Sequence, residues 1–558
     1  MYIRKTKIKN KNDYMVYLVE GYRDQRGKTM QRIIKRYGSY NELTKNNPQA
    51  FEQLKERYQT NLEETKINLE LDLLKVRDGS QKLQNYGYVF LESIYNQLSI
   101  STFIDEYAEN KTFKYNLNDI FKLLVFSRCL NPASKRETYH HKDSYFLNLS
   151  DFSQDDIYRS LNHLTQMKDD LMIHLNQEII HQGLRDVSLV FYDVTNYYFE
   201  SEATSELMGK GVSKERVKSS IVQMGLFIDN NGLPITYELF NGSTNDLSTM
   251  RPILEKIKKD YNLGSITIVG DKGNNSSSNL AMIEDYHDKY IIAQKIRGRG
   301  SLMADIVLDQ AGYIYNHDQS FKHKFETIEK EVTDLNGNKR ILTQRLMCFW
   351  SKNEEIYQKN KRGLLDEKIE KYLDNPALLN ASNAFGIKKY FKSVKVDQSG
   401  QVIKGKNTYQ FNQEKYERDL ALDGYYVIVT NDLTLSPFDI IKNYRQLSKI
   451  EDSFRVTKTD LEGRPIYVWT DNHIKGHFLT CYLSLLIYRL LQLKLDNQYS
   501  VNQIKKALNE ANVMGIGSGI IAFTETNEIV DELSKLHNID IGYQKMKIEH
   551  FKRKLKLI

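Results

Sequence analysis

The stretch VSLVFYDVTN at residues 187–196 decides the fold. Its first six residues form an apolar, β-favouring run that predicts a buried strand, and the run ends on Asp193. A second apolar run, at residues 266–269, ends on Asp271 within VGDKGNNSS. A carboxylate just past a strand end lies at the carboxyl edge of a sheet, where open α/β sheets usually bind ligands. The alternative for each aspartate is an ordinary turn-forming role at a strand exit.

Strand and helix signals alternate around these two runs. Further strands are predicted at residues 222–228, 233–239, 290–294 and 424–430. Helices are predicted at residues 248–260 and 276–286. Continuous apolar strands that alternate with helices predict an α/β fold, in which helices cover a mixed sheet.

The rest of the chain divides into segments of different character. Residues 14–37 predict a β-hairpin, residues 41–78 a helix, and residues 88–182 a helical domain with a helix start at Ser153. The predicted domains are 1–80, hairpin and helix; 81–183, helical and DNA-binding; 184–299, first part of the catalytic core; 300–422, a β-rich insertion domain; 423–495, second part of the core; and 496–558, a basic C-terminal tail region. For the helical domain, a packing role without DNA contact is the alternative.

Composition places the chain among ordinary globular proteins. The 558 residues are 40% hydrophobic and 27% charged, which argues against disorder. The formal net charge of +7 permits nucleic-acid binding without establishing it. Three distant cysteines, Cys129, Cys348 and Cys481, indicate a reducing cytoplasm, not a disulfide framework. No apolar run is long enough to predict a membrane span.

A helix predicted over residues 440–461 supplies a third acid. At 100° per residue, Tyr444, Glu451, Arg455 and Lys458 fall on one edge of this helix. Asp452 points elsewhere, so Glu451 is the better candidate ligand. The alternative is an amphipathic helix stabilised by intrahelical pairs such as Glu451–Arg455.

Three such carboxylates suit phosphoryl transfer. Mg²⁺ binds through one or two carboxylates and keeps positions open for water and phosphate oxygens. A pair of ions about 3.5–4 Å apart can activate the attacking oxygen and stabilise the leaving one. Arg455 and Lys458 would neutralise phosphates, and Tyr444 would hydrogen-bond to phosphate or stack on DNA.

These residues resemble those of bacterial insertion-sequence transposases that have a ribonuclease-H-like core and an acidic (DDE) triad. In one branch of that family the third carboxylate lies in a Tyr-x2-Arg-x3-Glu-x6-Lys signature. Here the signature falls on Tyr444, Leu447, Glu451 and Lys458, with leucine in place of the arginine. The blocks YDVTN and VGDKGNNSS, and the segment GRPIYVWTDNHIKGHFLTCYLSLL at residues 463–486, resemble the family as well.

The resemblance implies a function and its parts. Asp193, Asp271 and Glu451 would hold two Mg²⁺ or Mn²⁺ ions, and the protein would cut transposon ends at inverted repeats and join them to target DNA. It implies a homodimer on paired ends, working at the nucleoid in a bacterial cytoplasm. Further candidate DNA-binding residues are Arg445, Lys272 and Trp350. For Trp350, a base-stacking role implied by some relatives competes with an ordinary core role.

Two other functions remain open from the sequence. One is a nuclease on the same core that cuts without strand transfer. The other is a non-catalytic DNA-binding derivative of a transposase, against which the three intact acids argue.

Overall fold

The structure is a computed structural model, and it describes most of the chain. The described residues are 2–8, 13–23, 29–45, 50–52, 54–55, 82–109, 111–211, 219–245, 248–261, 263–297, 302–334, 337–373, 387–396, 406–517, 519–537, 541 and 543–555. Contacts divide the chain into two compact units: residues 1–81 with 515–520, and residues 82–514 with 521–558.

The secondary structure of the described residues mixes strands and helices throughout. The strands are β1 Tyr2–Lys7, β2 Tyr14–Arg23, β3 Thr29–Ser39, β4 Leu83–Asn85, β5 Val190–Tyr198, β6 Ile221–Asp229, β7 Pro234–Asn241, β8 Thr267–Gly270, β9 Lys289–Gln294, β10 Ile314–Tyr315, β11 Phe321–Thr333, β12 Lys339–Ser351, β13 Phe391–Val396, β14 Lys406–Phe411, β15 Tyr425–Thr430, β16 Asn512–Gly517, β17 Ile520–Phe523 and β18 Lys545–Lys547. The helices are α1 Tyr40–Lys45, α2 Tyr88–Gln97, α3 Ile100–Glu109, α4 Leu117–Leu130, α5 Lys135–His140, α6 Gln154–His181, α7 Met250–Asp260, α8 Ser277–Asp285, α9 Leu302–Leu308, α10 Lys352–Leu373, α11 Gln413–Ala421, α12 Pro437–Arg445, α13 Ser448–Arg455, α14 Asp471–Lys494, α15 Val501–Glu510, α16 Glu528–Leu536 and α17 Ile548–Leu555.

The N-terminal unit contains an antiparallel sheet in the order β1-β2-β3. The pairing of β2 with β3 confirms the hairpin predicted for residues 14–37. Of the helix predicted over residues 41–78, the structure has α1 at its start, whereas residues 56–78 lie outside the described residues.

The helices predicted after this unit are present as α2 to α6. The prediction that they form a DNA-binding domain stays a prediction. Ser153 caps α6: its hydroxyl accepts the amide of Asp156, whose carboxylate accepts the amide of Ser153, so two helix-end donors are satisfied. The long, almost fully buried helix α14 packs against α4 and α6. The helical layer and the sheet therefore share one hydrophobic core.

A nine-stranded mixed sheet is the centre of the second unit, in the order β10-β11-β12-β15-β9-β8-β5-β6-β7. Strands β5, β8 and β9 are parallel, while β6 and β7 follow β5 as antiparallel hairpin strands. Within β5 to β9 the spatial order is third, second, first, fourth, fifth. This is the ribonuclease-H-like arrangement expected from the sequence, and the α/β prediction is confirmed.

Residues 300–422 have two structural parts. The strands β10, β11 and β12 extend the large sheet, and β15 then pairs between β12 and β9. The later hairpin β13–β14 has a small hydrophobic cluster of its own, which includes Ile387, Tyr390 and Phe391.

The C-terminal region contains a second sheet, in the order β18-β17-β16-β4. Strand β16 pairs antiparallel with β4, so this region is joined to the start of the helical domain. None of the helices in the described part of the chain has the length and apolarity that a membrane crossing requires.

Candidate active site

Asp193 and Asp271 are brought together by the parallel pairing of β5 with β8. The ladder pairs Tyr192 with Gly270, and the two aspartates are the next residue on each chain. Residues in register across a parallel pair point to the same face, and neighbouring strands lie about 4.8 Å apart. The sequence prediction that β5 ends at Asp193 is wrong, because the strand continues to Tyr198 against β6. Only the hydrogen-bonded pairing of β5 with β8 ends beside Asp193.

Local hydrogen bonds orient both carboxylates. Asp271 caps the short 3₁₀ turn at residues 272–274, and its Oδ1 accepts the Lys272 amide at 2.6 Å. Asp193 Oδ1 accepts the Val194 amide at 2.7 Å. The short side chains are thus held by rigid backbone, as a metal or phosphate site requires.

The single helix predicted over residues 440–461 is wrong in detail. Helix α12 ends at Arg445, and α13 begins at Ser448. At the junction the amides of Leu447 and Ile450 bond three residues back, which tightens the turn, and Leu447 is buried. A π-helical turn, Val456–Asp460, then follows α13. The predicted alignment of Tyr444 with Lys458 on one straight helix therefore does not hold.

The segment nevertheless lies along the aspartate face of the sheet. Helix α13 packs on β5 and β6, and α12 packs on β8 and β9. Lys458 Nζ donates to Thr195 Oγ1 at 2.6 Å, and the hydroxyls of Thr457 and Tyr197 are 2.6 Å apart. Thr195 and Tyr197 share the face of Asp193, because side chains alternate along a strand. The helix that carries Glu451 is thus docked beside Asp193.

The pKa of Tyr444 responds to the charges of the three acids. Burial raises the pKa of its phenol above the usual range, and the negative charges of Asp271, Tyr426, Glu451 and Asp193 raise it further. Such effects act over short distances. The charges of all three predicted carboxylates thus act on the same tyrosine.

The carboxylates are near one another but not drawn into a tight cluster. Among the described residues, no three His, Cys, Asp or Glu side chains are arranged closely enough to hold a metal ion. Asp271 and Glu451 form no salt bridge with any described residue. The donor set itself is hard carboxylate oxygen, which fits Mg²⁺ and Mn²⁺.

The cations predicted on this helix have partners other than Glu451. Arg455 pairs with Asp452 and with Asp460, the latter through Nη1 at 3.0 Å. The predicted pair Glu451–Arg455 is therefore absent from the described ion pairs. Arg445 and Lys272 are exposed.

Trp350 lies on β12 and not on a projecting loop. It pairs with Tyr425 in the sheet register, and its half-buried ring packs against the core. A Cβ on Gly424 would lie 2.7 Å from Trp350 Nε1, so the indole fills a fitted space. This placement favours the core role.

Sequence reasoning missed Thr195 and Tyr426 as site residues. Thr195 holds Lys458, and Tyr426 lies close enough to Tyr444 to affect its pKa. Thr195 could have been found from the sequence, because it lies two residues after Asp193 and its side chain therefore points to the same face of the strand. Tyr426 could not have been found in this way, because its position near Tyr444 depends on the pairing of β15 with β9.

Comparison with known proteins assigns the family. The model of the transposase DDE domain matches residues 193–487, more than half of the chain, and that of the IS1634 family transposase N-terminal domain matches residues 3–66. No curated protein matches. One similar solved structure is the cryo-EM structure of the piggyBac transposase synaptic complex with hairpin DNA, at 10% identity, 84% coverage of each chain and a TM-score of 0.35. That similarity is too low to support the fold, which rests on the strand order. The family match shows that the chain belongs to the DDE-domain transposases of insertion sequences, enzymes that cut DNA and join it to a target.

Proposed function

We propose that Asp193, Asp271 and Glu451 together bind two Mg²⁺ or Mn²⁺ ions, and that this site cuts the transposon ends and joins them to target DNA. The observation that carries the proposal is the register of β5 and β8, which sets Asp193 beside Asp271, together with the packing of α13, the helix of Glu451, on β5. The charges of all three acids also raise the pKa of Tyr444, which supports the proposal.

The charge of the acids agrees with this role. Three neighbouring carboxylates repel one another, so their approach requires compensating positive charge. Divalent ions supply the offsetting charge, lower the pKa of the attacking water and stabilise the leaving oxygen. The two aspartates are fixed on the sheet, and Glu451 is the ligand that a shift of α13 can bring closer.

The neighbouring side chains bind and orient the DNA in this proposal. Because its pKa is raised, Tyr444 stays protonated at neutral pH and can donate a hydrogen bond to a phosphate oxygen. Lys458, held on Thr195, provides positive charge beside Asp193. The exposed Arg445 and Lys272 fit contacts to the DNA backbone. Arg455, which two acids already engage, contributes less, and Trp350 is left out because its ring is part of the core.

The wider assembly is also proposed. An element has two ends, and two protomers on paired inverted repeats would bring one active site to each. Such a complex acts on bacterial DNA, which places its work at the nucleoid in the cytoplasm.

The test uses full-length protein, DNA ends taken from the inverted repeats that flank the coding region, a supercoiled target plasmid, and Mg²⁺ or Mn²⁺. Wild-type protein is expected to give cut ends and strand-joined products. Asp193→Asn should give neither, while it binds the ends within about tenfold of wild type, because phosphate contacts dominate affinity. Cut ends without joined products would favour the nuclease, and cutting by Asp193→Asn would overturn the site.

A further inference from the structure

A second charged site lies at the far end of β5, where the helical layer meets the segment between the π-helical turn and α14. It is a pocket of about 80 Å³, more than twice the ~30 Å³ that one water occupies in the liquid. Arg128, Lys135, Arg464 and His477 line it, together with Glu462 and Tyr467. We call it the basic pocket.

Neutral backbone groups hold Arg128 in the basic pocket. Arg128 donates to the backbone carbonyls of Ala133 at 2.8 Å, Glu462 at 3.2 Å and Leu461 at 3.3 Å, and its Nε has no acceptor among the described residues. Carbonyl oxygens orient the guanidinium but do not cancel its charge. The carboxylate of Glu462 is exposed at the rim.

Lys135 is the most unusual member. Lys135 is 4% exposed, and its ammonium group forms no hydrogen bond or salt bridge with any described residue. Burial, and then the charge of Arg128, lower its pKa to about 7. His477 is buried and neutral, because burial and the two cations lower its pKa well below the usual value, and it donates to the Gly463 carbonyl at 3.2 Å. A buried ammonium without a partner is costly and loses its proton easily, and an anion bound beside it would offset that cost and keep it charged.

The surroundings of the pocket indicate which anion it takes. Tyr467 at its rim is 54% exposed, and the nearby Trp469 is 49% exposed. Positive charge beside exposed aromatic rings is the combination that tracks a nucleic-acid backbone and stacks on bases.

The pocket lies at the end of β5, the strand that carries Asp193. The Ile466 amide donates to the Tyr198 carbonyl at 3.2 Å, and the Arg464 guanidinium lies 5.6 Å from the Tyr198 ring centre. Tyr198 is five residues along β5 from Asp193, about 16 Å at ~3.3 Å per residue.

We propose that the basic pocket binds a phosphate group of the DNA substrate, outside the carboxylate site. The choice of DNA as the source rests on the proposed function, whereas the preference for a phosphate rests on the pocket alone. Lys135 and Arg464 would contact the phosphate, and Arg128 would orient the pocket wall and add charge.

The test measures binding of a labelled transposon-end duplex to full-length protein in EDTA, so that it does not depend on the carboxylate site. Lys135→Met and Arg464→Gln are expected to weaken binding about 5–20-fold and to lower the slope of log K against log salt by about 1. Arg136→Gln, which removes an exposed charge from the residue next to Lys135, is the matched control and should change affinity less than about twofold. Lys135→Met should melt no lower than wild type, because it removes an unpaired buried charge.

A parallel titration with inorganic phosphate separates the two sources. If the pocket variants lose phosphate binding but keep wild-type affinity and salt slope for DNA, the pocket serves a free anion and the proposal is overturned. It is equally overturned if neither ligand is affected, or if Lys135→Met and Arg464→Gln both lower the melting temperature. Loss of cutting by Asp193→Asn, with pocket variants that bind DNA normally, would remove this inference and leave the proposed function intact.

Discussion

The carboxylate site and the basic pocket lie along the same strand, β5, and carry opposite charge. The carboxylate site has three acids on neighbouring elements, and in the basic pocket Arg128 is held by backbone carbonyls. Two buried ion pairs elsewhere are different: Arg185 contacts Asp229 at 3.0 Å, and Lys258 contacts Asp288 at 2.6 Å. Since unpaired buried charge is costly, the contrast separates charges that hold the fold together from charges that await a ligand.

The largest expected effect is on the cutting rate, and it should distinguish Glu451 from the adjacent Asp452 on α13. Glu451→Gln should lower the cutting rate about 10³-fold or more, because it removes a ligand for ions that stabilise the transition state. It should not lower the melting temperature, since Glu451 has no structural salt bridge among the described residues. The cutting rate and the thermal melt are the measurements.

Asp452→Asn is the matched control for this prediction. Asp452 bonds to Arg455 and to the mostly buried Arg489, so its loss should lower the melting temperature and leave the cutting rate within about threefold. Equal loss of cutting by both variants would contradict the assignment of Glu451.

A paired cation should behave differently from the cations of the basic pocket. Burial raises the pKa of Asp229 although Arg185 acts to lower it, so that carboxylate depends on its partner. Arg185→Met should cost about 3–5 kcal/mol in the free energy of unfolding, because it strands a buried carboxylate. Urea unfolding measures this cost, and a loss below about 1 kcal/mol would break the distinction between the two classes of charge.

A smaller effect is expected at Tyr444. Tyr444→Phe removes the hydroxyl that we propose donates to a phosphate oxygen and should slow cutting about 10–100-fold, the value of one charge-assisted hydrogen bond. Single-turnover cutting with Mg²⁺ is the measurement. A rate within about twofold of wild type would show that the phenol only packs beside the acids.

The smallest effect concerns the pH dependence of stability. Lys135 has a pKa of about 7 in the folded protein against an ordinary 10.5. Between these values the unfolded state holds a proton that the folded state lacks, so the stability rises with pH from about 7 to about 10.5. Lys135→Met should remove up to about 1.4 kcal/mol per pH unit of that slope and be about 1–3 kcal/mol more stable near pH 7.

This prediction is measured as the difference between wild type and variant in urea unfolding at several pH values. Several titratable and charged groups share the surroundings of Lys135 and are present in both proteins: Arg128, Cys481, His477, Arg464 and Glu462. Identical slopes for the two proteins would show that Lys135 is charged in the folded state throughout this window.

Much of the central sheet could be predicted from the sequence because its strands are apolar runs. Strands β5 to β9 and β15 are buried on both faces, so no register is needed to recognise them. Strand β11 was missed for a physical reason. Its inward positions include Lys322 and Lys324, which pack on the Tyr313 ring at 4.7 and 5.0 Å, so the strand does not look like a core strand.

The sequence predicted which acids form the candidate site, but it did not predict how the helices that carry them are arranged. Asp193 and Asp271 could be paired because both follow apolar runs of the same sheet. The break at Leu447 and the π-helical turn after Arg455 depend on how α12 and α13 pack on different strands, which periodicity does not encode. The basic pocket was not predicted, because Arg464 is far in the chain from Arg128 and Lys135.

The central claim is that three acids from separate segments share divalent ions, and Mn²⁺ binding to the full-length protein tests it most directly. A titration followed by electron paramagnetic resonance, with transposon-end DNA present, is expected to show binding weakened at least about tenfold by each of Asp193→Asn, Asp271→Asn and Glu451→Gln. Asp452→Asn should bind as wild type does. Wild-type Mn²⁺ affinity in any one of the three site variants would contradict the account.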